Sequence, residues 1–147
     1  MNDTQSPLLI VEDDPALGTQ MRWAFCAYRP VVAVDRETAI AQLRRHEPAV
    51  VTLDLGLPPR PDDPAEGLSL LEEIQRLAPD TKVIVLTGQS DRSIALKAIS
   101  LGAYDFCTKP FEPEVLRLTL ERAYRVHELQ GENRRLQAAK PSAAMAG

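Results

Sequence analysis

Two rhythms of apolar residues alternate along the chain. LLIV (8–11), VVAV (31–34), AVVTL (49–53) and KVIVL (82–86) are short runs without polar alternation, and YDFCT (104–108) is a fifth strand-like stretch. Such runs suit strands buried on both faces, as in a parallel sheet covered by helices. Between them the spacing turns helical: Leu17, Met21, Phe25 and Tyr28, then Ala39, Ile40 and Leu43, then Leu68, Leu71, Ile74 and Leu77. Ile94, Ala95, Ala98 and Ile99 mark a fourth helix over Asp91 to Leu101, and Val115, Leu116, Leu120, Tyr124 and Val126 a fifth that opens at Pro113. Asp14-Pro15 and Asp35 read as helix starts, and Pro79 and Gly102 as stops. Strand and helix thus alternate five times, which predicts an α/β fold with helices on both faces of a parallel sheet. The last helix is extended, since its first breaker, Gly131, costs only ~1 kcal/mol relative to alanine.

The polar residues that interrupt this pattern gather at strand exits. Glu12 and Asp13 follow the first strand, Asp54 the third, Thr87 the fourth and Lys109 the fifth. Each has a bland reading; Thr87, for example, can simply cap a turn. All of them, however, fall on the carboxyl edge of one sheet, where open α/β sheets place ligands. Several carboxylates brought within a few ångströms repel one another, so the arrangement makes sense around a divalent cation. Mg2+ is the natural occupant, being hard and satisfied by one or two carboxylates plus water. The ammonium and hydroxyl can then hold oxygens of a phosphoryl group placed on a carboxylate, with Asp54 the candidate reactive group.

Composition narrows the picture. With 147 residues, 44% hydrophobic and 5% aromatic, the chain suits one domain with an aliphatic core. A net charge of -4 argues against direct nucleic acid binding. Cys26 and Cys107 lack ligand spacing and read as reduced core residues. His46 reads as a favourable charge at a helix end or a solvated side chain, not a ligand. MNDTQSP is no signal peptide and no apolar run approaches the ~18 residues of a membrane span, so a cytoplasmic, membrane-free protein is expected.

LLIVED, TLD at the third strand end, LTG and KPF together resemble the response regulator receiver domains of two-component signalling, over roughly residues 8 to 127. The resemblance implies a flavodoxin-like, doubly wound five-stranded sheet of order 2-1-3-4-5. It implies that a sensor histidine kinase phosphorylates Asp54, that Asp13 binds Mg2+ directly and Glu12 through water, and that the Gly56 carbonyl is a further ligand. Thr87 becomes the switch hydroxyl, Lys109 the phosphoryl-binding cation, Phe106 the aromatic switch, and Lys109-Pro110 a cis peptide. Such a domain is a self-phosphorylating acceptor and not a turnover enzyme. Gly67 lies thirteen residues after Asp54, about five more than receivers usually have, and four prolines (58, 59, 61 and 64) stiffen the intervening loop. That loop, GLSLLEEI and HELQGENRRLQ look like the PEP-CTERM-associated regulators, whose members continue into an AAA+ sigma-54 activator and a DNA-binding domain. Residues 128–147 then form a helical linker toward such output domains.

The main rival is a haloacid-dehalogenase-like phosphatase, which shares the aspartate, threonine, lysine and magnesium. It needs a second aspartate where this chain has Gly56. A flavodoxin-like nucleotide binder wants glycine or hydroxyls where the first strand exit has acids. Finally, Val126, Leu129, Asn133 and Leu136 are spaced three, four and three, an a-d-a-d pattern with asparagine at one a position. That pattern predicts a short parallel two-stranded coiled coil, hence a homodimer.

Overall fold

A computed structural model describes residues 6–60, 63–88 and 92–138. Among them β1 (Leu9–Val11), α1 (Pro15–Ala24), β2 (Val31–Ala33), α2 (Arg36–His46), β3 (Val50–Asp54) and α3 (Ala65–Leu77) follow in order. β4 (Lys82–Gly88), α4 (Arg92–Ser100), β5 (Asp105–Lys109) and α5 (Pro113–Ala138) complete the alternation. The strands pair in parallel in the order β2-β1-β3-β4-β5, as expected.

The unbroken apolar runs follow from two cores served by the same strands. Leu9, Val11, Val51, Leu53, Val83 and Val85 point toward α2, α3 and α4. Leu8, Ile10, Val50, Ile84 and Leu86 point the other way, toward α1 and α5. Successive residues of a strand face opposite sides, so both parities are apolar in the middle of this sheet, except at Thr52 of β3, which is fully buried between Ile10 and Ile84.

Local chemistry sets the helix ends. The Asp14 carboxylate accepts from the Ala16 N–H, with Pro15 in the first turn. Asp35 accepts from the Thr38 N–H at 2.8 Å, and the Thr38 hydroxyl accepts from the Asp35 N–H, a reciprocal capping box. α4 closes where Gly102, at φ 112°, donates to Ile99 O and Ala103 donates to Ala98 O. The Lys109–Pro110 peptide is cis, and so is Pro58–Pro59.

Several details differ from the sequence reading. β4 continues through Thr87 and Gly88, which pair with Thr108 and Lys109, so Thr87 lies within the strand and not beyond it. Ile99 and Val115, expected inside, are 38% and 53% exposed. In each case an adjacent residue, Ala98 or Leu116, occupies the buried direction, and one helical step turns the next side chain away by ~100°. Cys26 is exposed, while both thiols are free. Asp91, Pro61, Asp62 and the tail from 139 onward lie outside the described residues.

The long loop after β3 returns tightly to the sheet. A Cβ on Gly67 would sit 2.4 Å from both Cα and O of Leu55, so α3 can approach the β3 exit this closely only with glycine there. At Gly131 the nearest obstacle to a Cβ is the end of the Arg135 side chain at 3.6 Å. Opposite signs are therefore expected in urea denaturation. Gly67→Ala should destabilise by roughly 1–3 kcal/mol through backbone overpacking, and Gly131→Ala should stabilise by up to ~1 kcal/mol through helix propensity.

Candidate functional site

The site is built from strand ends. β1 stops at Val11, and its ladder carries on one step as the Glu12 N–H donates to Ala33 O at 2.9 Å. Glu12 therefore keeps the inward direction of Ile10 and is 1% exposed, whereas Asp13 turns outward and is half-buried. Asp54 is the last residue of β3, paired with Leu86, which sets Thr87 one step beyond it on the neighbouring strand. Lys109 ends β5 opposite Gly88.

These positions bring together five of the seven residues singled out in the sequence. One carboxylate oxygen each from Glu12, Asp13 and Asp54 lie within 4.8 Å of one another. Lys109 Nζ stands 3.3 Å from Asp54 Oδ2 and 3.6 Å from Glu12 Oε1. The Gly56 N–H donates to Asp54 Oδ1 at 3.2 Å, and the Asp14 N–H donates to Glu12 Oε2 at 3.2 Å. Thr87 is buried and its hydroxyl has no hydrogen-bond partner among the described residues. Phe106 sits on β5 three residues before Lys109 with its ring 36% exposed, outside the acid group.

The electrostatics are those of a compressed acid group with one cation. Burial, then the adjacent Asp54 carboxylate, pushes Glu12 up to about 8, against the pull of Lys109 and the Asp14 N–H. Glu12 Oε1 is buried with no hydrogen-bond donor. Three converging carboxylates, one with an orphaned oxygen, form a hard-oxygen donor set of the kind magnesium takes. A single ammonium cannot neutralise three acids.

Residues 8–121 match the response regulator receiver domain family. The chain belongs to that family. A C4-dicarboxylate transport transcriptional regulatory protein, DctD of Pseudomonas aeruginosa, is 34% identical over 140 residues, covering 93% of this chain and 29% of the relative. The nitrogen assimilation regulatory protein NtrX of Azorhizobium caulinodans is 31% identical over 142 residues, covering 95% and 31%. The crystallised receiver domain of NtrX from Brucella abortus superposes with a TM-score of 0.72 at 32% identity, covering 79% of this chain and 96% of that one. The chain spans about a third of the length of these two curated relatives. Receiver domains are phosphorylation-dependent signalling modules, and nothing in the comparisons supports the phosphatase alternative. Among the described residues, no helix is long and apolar enough to cross a membrane.

Sequence reasoning did not find the clamp that holds α2 on α3. Arg36 donates to Ser69 Oγ at 2.9 Å and to Glu73 Oε1 at 2.6 Å, beside Glu66. Charges this far apart in sequence carry no periodic signal.

The raised Glu12 sets a pH dependence. Its folded pKa, about 8, lies above the ordinary 4.5, so the folded state holds that proton more tightly. The resulting stability is complete below pH 4.5 and is lost as pH rises through 8. The lowered carboxyls Asp35 and Asp80 act below their ordinary 3.8, outside this window, whereas His127, held below its ordinary 6.5 by burial, acts inside it with the opposite sign and offsets part of the fall. In urea titrations without divalent cations, the unfolding free energy should fall between pH 4.5 and 8, and Glu12→Gln should remove most of that fall.

Proposed function

We propose that Asp54 accepts a phosphoryl group from the phosphohistidine of a sensor kinase. The observation that carries this reading is the carboxylate of Asp54 held between Lys109 at 3.3 Å and the Gly56 N–H at 3.2 Å, beside two further acids. An Asp54 oxygen attacks phosphorus in line, the P–N bond breaks, and the histidine imidazole leaves. Asp13 would bind Mg2+ directly, with Glu12 through water and Asp54 and the Gly56 carbonyl as further ligands. The metal supplies neutralisation of charge on the moving phosphoryl group. Lys109 balances the oxygens of the adduct, and the Thr87 hydroxyl, without a partner among the described residues, gains one when it donates to them. The domain is an acceptor with slow self-dephosphorylation and not a turnover enzyme.

The adduct adds roughly 1 to 1.5 units of negative charge over the carboxylate. Drawing Thr87 inward shifts the exit of β4 and opens space into which Phe106, now 36% exposed, turns. That remodels the surface of α4, β5 and α5, where Leu96, Val115 and Leu118 are already exposed. An apolar cleft lined by Leu17, Met21, Phe25, Pro110 and Phe111 opens beside Lys109 and offers a seat for the kinase. We place the domain in the cytoplasm, where the free thiols Cys26 and Cys107 stay reduced. There it would control transcription through AAA+ and DNA-binding output domains in a longer protein, in the manner of the PEP-CTERM-associated regulators. The receiver unit is residues 8–127, and 128–147 the linker.

Incubation with acetyl phosphate and magnesium should add one labile phosphoryl group to the wild type and none to Asp54→Asn. Lys109→Ala should retain some uptake but lose the change at Phe106. Uptake by Asp54→Asn at the wild-type rate would move the acceptor elsewhere.

The linker reading adds a partner, a second copy of this chain. Leu129 and Leu136 are 49% and 59% exposed on α5, with exposed Asn133 between them. Paired asparagines at one a position favour two parallel strands, and fewer than two heptads are too short to pair alone, so the α4-β5-α5 surface must add contact. Sedimentation at micromolar concentration should show a dimer for the whole chain and a monomer for a version ending at His127. The same mass for both reduces the helix to a tether.

A further inference from the structure

The inward face of α5 does not end with its apolar residues. Leu116, Leu120 and Ala123 are buried against the sheet, and the same face continues at steps of four, three and four through His127, Gln130 and Arg134. Such steps hold one direction on a helix, so the seat continues while its chemistry turns polar. Each of these residues meets the corner where α3 leads into β4. Lys82 Nζ donates to Gln130 Oε1 at 2.6 Å. Arg134 forks onto both oxygens of Asp80, at 2.6 and 2.9 Å. His127 is half-buried in the field of the same Asp80, Lys82 and Arg134. The face carrying Val126, Leu129, Asn133 and Leu136 lies roughly a third of a turn away, at ~100° per residue, and is left free.

The domain side of these contacts is as specific as the helix side. Lys82 is the first residue of β4, Asp80 lies two before it, and Thr87 lies near the strand's other end. β4 is hydrogen-bonded on both sides, to β3 and β5, and runs unbroken from Lys82 to Thr87. An apolar seat would fix the helix permanently. An exposed fork and a single hydrogen bond hold it weakly enough to be shifted, yet with the directional geometry of a bidentate pair.

We propose that Asp80–Arg134 and Lys82–Gln130 form a polar clamp that sets the direction in which the linker helix leaves the receiver, and that β4 connects this clamp to the acceptor pocket. The β4 link rests on the acceptor reading above, whereas the clamp does not. It gives the domain a second line to its output, separate from Phe106 and the α4-β5-α5 surface.

Hydrogen exchange of the whole chain, with and without beryllofluoride plus magnesium as the phosphoryl mimic, tests both parts. Amides 128–138 should exchange up to about fivefold faster in Arg134→Gln and Asp80→Asn than in wild type, as suits an exposed ion pair. The charge-swapped pair Asp80→Arg with Arg134→Asp should recover protection. Beryllofluoride should change exchange in 128–138 of wild type but not of Arg134→Gln, while protecting the amides around Asp54 in both. Equal exchange of 128–138 in wild type and Arg134→Gln overturns the clamp. An identical beryllofluoride response there, with Asp54 protected, overturns the β4 link. No protection around Asp54 in the wild type overturns the acceptor reading instead.

Discussion

Three carboxylates forced together at one sheet edge are the constraint from which the rest of the molecule follows. Glu12, Asp13 and Asp54 present oxygens within 4.8 Å of one another, and Lys109 supplies the nearest cation. For Glu12, burial and the neighbouring Asp54 carboxylate penalise the charged form more than Lys109 and the Asp14 N–H support it. The arrangement persists because the strand ends that carry it are fixed from beneath. Apart from Thr52, the central strands carry buried aliphatic side chains on both faces, and their register leaves no freedom for the exits to spread. The apolar cores thus hold a polar site under compression, and a cation or phosphoryl group entering there changes the balance at once.

That compression has directions in which to relax. Lys109 and Phe106 share β5, and Thr87 and Lys82 share β4, so each strand joins the acid group to a different part of the surface. On β5 the route is short and ends at an exposed ring. On β4 it runs the length of the strand to the corner that grips α5. Both routes need stiff strands, which the two-sided packing provides.

Much of this was legible in the sequence because both periodicities were clean. Strand runs without alternation, caps at Asp14 and Asp35 and the stop at Gly102 are local signals, and from them came the order of elements and the sheet edge at which Glu12, Asp13, Asp54 and Lys109 meet. Legibility failed where the outcome depended on neighbours distant in sequence. Ile99 and Val115 satisfy a helical stripe by type, yet buried Ala98 and Leu116 take the inward direction. Trp23, 77% exposed on α1, and Cys26 on the turn after it lie at the surface although both are residue types that are usually buried. The Arg36 clamp and the Asp80–Arg134 fork join residues 33 to 54 positions apart, which no periodic pattern records.

The last helix shows how one stretch carries two messages. Read for apolar residues, its end offers Val126, Leu129 and Leu136 around Asn133, a surface for another helix. Read for polar residues, it offers His127, Gln130 and Arg134, which continue the face that Leu116, Leu120 and Ala123 begin. The two sets lie on different sides of the same cylinder, so a helix seated on its own receiver still presents its seam outward. In a parallel pair each receiver would grip the outer flank of its own strand of the coil. The angle between the two receivers would then be fixed by the grip, because the seam itself leaves each domain free to swing. A small displacement at the start of β4 would act on α5 directly at Gln130 and Arg134, within the last nine of its 26 residues, and so tilt the end of the helix against the part seated by Leu116, Leu120 and Ala123.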